Sequence, residues 1–180
     1  MSFSLQVPVE QFEMPHPRGD GSFKISVARV AHVPQGAKVP VLYVVDGDIG
    51  FALAPEIARL RGIMGMLPTA MVVGIGYGVD FPEFAKLRTA DLTPPLSEAG
   101  RAALGGMTSF IGDQDGGADA FLSFLTDALA PEIERRYPEA AAAERMLFGH
   151  SLGGPFTAYA LLTRPDAFTT FLANSPSLWW

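Results

Sequence analysis

The sequence predicts an α/β fold: a three-layer α/β/α sandwich around a mostly parallel sheet, in a single domain over residues 1–180. Three observations predict it. Short apolar segments of the kind buried on both faces recur at 39–45, 71–75 and 145–148. Helix-like segments stand between them, and strand–helix alternation of this kind builds parallel sheets covered by helices. Finally, 48% of the residues are apolar and mean hydropathy is +0.22. The 19 glycines and 15 prolines therefore mark turns in a folded chain rather than disorder.

Taken in order, Phe3, Leu5, Val7 and Val9, then Phe23, Ile25, Val27 and Val30, alternate with polar residues as half-wet strands do. The turn between them is Pro15-His16-Pro17-Arg18-Gly19-Asp20-Gly21. This pair is expected to form an antiparallel edge. The strand at 39–45 leads to a helix over 54–61, and a second buried strand follows at 71–75. Residues 76–117 read as a long loop with short helices near 82–87 and 97–104, and such a loop is usually functional. The clearest helix carries Ala120, Phe121, Phe124, Leu125, Ala128, Leu129 and Ile133 on one face and ends near Tyr137-Pro138. A strand at 145–148, a helix at 152–163 and a strand at 168–173 complete the reading.

Composition excludes several functions. Net charge is −6 with scattered basic residues, which is not the clustered Lys and Arg of a nucleic-acid groove. No apolar run approaches the roughly 18 residues of a membrane span, and the N-terminal MSFSLQVPVEQ predicts no signal peptide. With no cysteine and three dispersed histidines, no metal cluster and no cofactor are expected. The default is a cytoplasmic protein acting on a small molecule. A glycine pattern at Gly74-Ile75-Gly76-Tyr77-Gly78-Val79 fails as a dinucleotide fingerprint, because Val79 replaces the last glycine and Asp80-Phe81-Pro82 interrupts the helix start.

One motif carries chemistry. Gly149-His150-Ser151-Leu152-Gly153 lies where a strand passes into a helix, the place of a nucleophile elbow. The tight turn would lift the Ser151 hydroxyl to the carboxyl edge of the sheet. The N–H of Leu152, at the helix start, could hold a developing oxyanion. A second donor is expected after the earlier strand, in Asp46-Gly47-Asp48, most directly the N–H of Asp48. The bland alternative is a glycine-rich turn with a capping serine.

Further strings stand in a matching order: Val41-Leu42-Tyr43-Val44-Val45-Asp46-Gly47-Asp48, Val72-Val73-Gly74-Ile75-Gly76-Tyr77, Arg88-Thr89-Ala90-Asp91-Leu92-Thr93-Pro94 and Gly116-Gly117-Ala118-Asp119-Ala120-Phe121. The elbow and Ser175-Pro176-Ser177-Leu178-Trp179-Trp180 follow them. From about residue 20 onward the set resembles the esterase branch of the α/β-hydrolase superfamily that includes the enterobactin (catecholate siderophore) esterases. The resemblance implies a serine hydrolase that cleaves carboxylic esters through an acyl-enzyme. Ser151 would be the nucleophile, with the N–H groups of Leu152 and Asp48 as oxyanion hole. Arg88 would contact a polar or anionic substrate, or else hold its loop through Asp91. Trp179 and Trp180 would line the pocket or pack as core.

The chain also departs from that family. Its triad runs Ser, then acid, then His, yet after Ser151 the only acid is Asp166 and no His follows. The strands that would bear them are missing, so the expectation is an N-terminal portion of a longer fold, with its open sheet edge inviting self-association or pairing with a missing C-terminal portion. His150 reads as a core histidine, His16 as a turn residue between two prolines, and His32 as a neighbour of the turn at 34–36. A base outside this chain is expected. The competing class is a catalytically inactive fragment or pseudoenzyme that binds a ligand or partner.

Overall fold

Alternation along each strand divides the core between two faces of one sheet. The computed structural model describes residues 7–19, 21–29, 33, 35–66, 69–107 and 114–178. Among these, the strands are β1 (Val9–Pro15), β2 (Ser22–Arg29), β3 (Val39–Val44), β4 (Met71–Gly76), β5 (Ala140–His150) and β6 (Thr170–Asn174). Their spatial order is β1-β2-β4-β3-β5-β6. β1 and β2 join antiparallel, and β2 is antiparallel to β4; β4, β3, β5 and β6 run parallel. The expected antiparallel edge is present among the described residues, with β1 running from Val9 directly into the Pro15 turn; Phe3, Leu5 and Val30 lie outside the described residues.

The odd residues Val41, Tyr43 and Val45, with Met71, Val73, Ile75 and Leu147, face the larger half of the core. Their neighbours Leu42, Val44, Val72 and Phe148 face the smaller half. A side-chain period of two on strands buried both ways produces this division. The smaller half lies under α1 (Gly47–Gly50) and α2 (Ala54–Ile63) through Phe51, Ala54 and Ala58. The larger half is covered by α3 (Phe81–Leu92), by α5 (Ala118–Ser123) with its continuation α6 (Ala130–Arg136), and by α7 (Gly153–Thr163). Between α3 and α5 lies the short α4 (Glu98–Leu104). No helix among the described residues is long and apolar enough to cross a membrane.

Three elements differ from the sequence reading. Helix α3 spans 12 residues rather than the six of 82–87. It starts on an Asp80 cap that accepts from Glu83 N at 3.1 Å, as a helix start should. It buries Thr89 and Asp91 beside Phe84, Ala90 and Leu92, and those polar positions break the apolar stripe that would have revealed it. β5 begins at Ala140, so the run 140–143 is extended although alanine is a poor strand former. Pairing with β3 holds only Ala140 of this run, and the register then shifts so that Val41 meets Arg145. The long helix widens into a π-helical turn at Phe124–Leu129. Pro131, next along, has no N–H to offer the carbonyl of Asp127, and Arg164 instead binds the Thr126 and Asp127 side chains.

The four tyrosines give a spectroscopic check on this packing. Burial raises the phenol pKa of Tyr43, Tyr77, Tyr137 and Tyr159, with nearby carboxylates adding to the effect at the last three. A folded-state pKa above the unfolded one stabilises the fold below the ordinary phenol value, and the contribution is lost as pH rises through the folded value. Absorbance at 295 nm in the native chain should therefore lag the urea-unfolded chain between about pH 10 and 11. Superimposable titration curves would contradict the packing.

Candidate active site

Two backbone turns at the carboxyl edge of the sheet, one after β3 and one after β5, create the candidate site. β5 ends at His150, and Ser151 then takes φ 56 before the chain enters α7 through Leu152. A non-glycine residue in this left-handed region costs roughly 1–3 kcal/mol and persists only where neighbours enforce it. Gly149 makes the turn sterically feasible, because a Cβ there would strike the carbonyl oxygen of Gly153 and come within 2.6 Å of Thr157 Oγ1. A Cβ on Gly153 would stand 2.7 Å from Val45 Cγ2. The elbow is therefore pressed against the end of β3.

The second turn is built the same way. Asp46 also takes φ 56 and precedes α1. Its carboxylate, only 4% exposed, accepts two hydrogen bonds from Arg88, at 2.8 Å from Nε and 2.5 Å from Nη2. One of its oxygens would be 3.4 Å from a Gly153 Cβ, which sets this turn beside the start of α7. Asp48 is held separately: its carboxylate accepts from Tyr77 N at 2.6 Å and Gly78 N at 2.8 Å, at the end of β4. Each acid of Asp46-Gly47-Asp48 thus fixes the loop to a different element. Neither the Leu152 N–H nor the Asp48 N–H has a hydrogen-bond partner among the described residues.

Arg88 occupies another position than the sequence suggested. Its guanidinium pairs with Asp46 rather than Asp91. It also lies 5.5 Å over the Phe84 ring. Burial would lower its pKa, but the Asp46 hydrogen bonds and charge outweigh that, and the net shift is upward. Asp91, fully inside, instead takes bonds from His16 Nε2 at 2.8 Å and Tyr77 Oη at 3.0 Å, with Arg18 at 3.0 Å. Sequence reasoning missed Asp46 as a site residue. Its signal was the demand for a left-handed residue before a glycine, which Asp tolerates better than most.

The histidines have partners that the sequence did not suggest. His16 stands at the expected turn, where its carbonyl accepts from Gly19 N at 2.9 Å, but its ring is buried and lies tilted, 4.5 Å from Phe23. Its Nδ1 accepts from Arg18 N, so both nitrogens are engaged. His150 is exposed rather than core, and its Nδ1 accepts from Asn174 Nδ2 at 3.1 Å. It faces an apolar groove of about 490 Å³ lined by Leu42, Ile49, Leu53, Ile57 and Phe148. Among the described residues, the one side chain hydrogen-bonded to Ser151 Oγ is Ser177, at 3.3 Å. His32, Trp179 and Trp180 lie outside the described residues.

This arrangement can present one hydroxyl on a strained turn beside two unpaired amide donors, as acyl transfer requires. Comparison with known proteins shows the family. Residues 21–180 match the family described as "Putative esterase". The chain is 34% identical to the ferri-bacillibactin esterase BesA of Bacillus subtilis over 99% of its own length and 62% of that protein's. It is also 34% identical to the siderophore triacetylfusarinine C esterase of Aspergillus fumigatus, covering 95% of this chain and 56% of that one. Among solved structures, the siderophore hydrolase EstA from Aspergillus nidulans superposes with a TM-score of 0.78 at 31% identity, over 100% of this chain and 62% of that one. The chain thus spans less than two thirds of the length of these relatives. With an α/β-hydrolase sheet and a matching segment that covers all but its first 20 residues, the chain belongs to the "Putative esterase" family.

Proposed function

We propose that this chain supplies the nucleophile and the oxyanion hole of a serine esterase that cleaves carboxylic esters through an acyl-enzyme. The observation that carries the reading is Ser151 at φ 56 between β5 and α7, beside the turn that holds Asp48. Ser151 Oγ attacks the ester carbonyl while a base takes its proton. The tetrahedral oxyanion is held by the N–H groups of Leu152 and Asp48, in a site whose donors are already fixed and cost no reorganisation. The C–O bond to the alcohol then breaks, and the alcohol departs with the proton. Water attacks the acyl-enzyme, releasing the acid and restoring Ser151.

His16 and His150 have other partners, so the base on this reading comes from outside them. Asp46 and Arg88 hold the oxyanion turn rather than the substrate. The relatives are named as esterases of siderophores, which supports a siderophore ester as the substrate and weighs against a purely binding role. Hydrolysis of p-nitrophenyl butyrate checks the reaction: a Ser151→Ala variant should lose about 10²-fold or more of the wild-type rate. A Ser151→Ala variant that keeps a measurable wild-type turnover would overturn the proposal.

A further inference from the structure

The segment after β6 closes over the elbow from the side opposite to Asp46. Ser151 N donates to Asn174 O at 3.1 Å, and Ser177 N donates to Ser151 O at 3.0 Å. Between them Ser175 takes φ 44, a third strained non-glycine turn after Asp46 and Ser151. Pro176 packs so near Gly154 that a Cβ there would lie 2.7 Å from its Cα. Two backbone hydrogen bonds and one close contact therefore register residues 174–177 on the nucleophile turn. Their result is a Ser177 hydroxyl 3.3 Å from Ser151 Oγ.

From this we infer that Ser177 is a second hydroxyl of the reaction centre, donating to Ser151 Oγ once that oxygen is acylated. The inference rests on the reading of Ser151 as nucleophile. Ser177 cannot be the base, since two alcohols of similar acidity give no driving force for proton transfer. The change in Ser151 decides the direction of the bond. Free, its Oγ can donate or accept; as an ester oxygen it has lost its proton and can only accept. Ser177 can rotate its own O–H to match. During deacylation water adds to the acyl carbon, the C–Oγ bond breaks, and its electron pair returns to Oγ. The protonated base reprotonates Oγ, while Ser177 keeps its proton and stabilises the charge that develops there. No residue beyond this segment and the elbow is needed for the contact.

A boronic acid mimics the acylated state without turnover. 4-Fluorophenylboronic acid takes the Oγ electron pair into a tetrahedral anionic adduct and releases the serine proton to solvent, leaving Oγ as an acceptor only. Binding to the full 180-residue chain is followed by ¹⁹F NMR, with Ser151→Ala as the control that must abolish the adduct. Ser177→Ala should weaken binding about tenfold, the scale of one hydrogen bond to a charged group. Ser177→Thr, which keeps the hydroxyl, should stay within about threefold of wild type. Equal affinity in Ser177→Ala, or equal loss in the Ala and Thr variants, overturns the role of the hydroxyl and leaves the nucleophile assignment standing. A wild-type chain with no Ser151-dependent adduct overturns that assignment and this inference together.

Discussion

Gly149→Ala is expected to destroy the elbow and much of the domain's stability. The added methyl would clash with the Gly153 carbonyl oxygen and approach Thr157 Oγ1 to 2.6 Å. Both are fixed: the carbonyl accepts from that same Thr157 hydroxyl at 2.9 Å, and Thr157 is fully buried. Backbone on both sides must therefore move, pulling β5 from α7. A change of this kind belongs to the small class that costs about 4 kcal/mol or more. For a domain of this size that is a fall of roughly 10 °C in melting temperature or loss of the cooperative transition. Circular dichroism melting of the variant decides it, and a fall under about 3 °C would show that the turn is not as tight as described.

The second large effect is expected at Arg88. Arg88→Ala would leave the Asp46 carboxylate buried without its two hydrogen bonds. Removing one partner of a buried pair costs about 3–5 kcal/mol, because the remaining charge is uncompensated. Asp46→Asn combined with Arg88→Met should recover most of that loss, since the charge is gone and Asn tolerates the left-handed backbone. Because Asp46 precedes the Asp48 donor, the single variant should also lose reactivity at Ser151 beyond what its melting temperature explains. A chemical-denaturation cycle over wild type, Asp46→Asn, Arg88→Met and their double variant tests the coupling, and additive effects of the two changes would contradict it.

Much of this was legible in the residues. The parallel strands declared themselves as unbroken apolar runs, and the elbow as a serine between glycines at a strand–helix junction. What remained hidden depended on partners distant along the chain. His16 between two prolines reads locally as a turn, but Asp91, 75 residues away, draws its ring inside. Arg88 reads locally as a partner of Asp91, three residues on, and only the tertiary path of α3 brings it to Asp46, 42 residues away. His150 and Ser151 are neighbours, yet the alternation of β5 continues through His150 and sends it to the α2 side. Ser177 belonged to a string that carried the resemblance but had no role of its own there, since its place beside Ser151 comes from β6 lying parallel beside β5.

The central claim is that the fold singles out one serine as a nucleophile. Fluorophosphonate labelling of the 180-residue chain, followed by intact mass and peptide mapping, tests it most directly. A single adduct on Ser151, absent from Ser151→Ala, is the result this account predicts. No adduct, or label spread over other serines and retained in that variant, would contradict it.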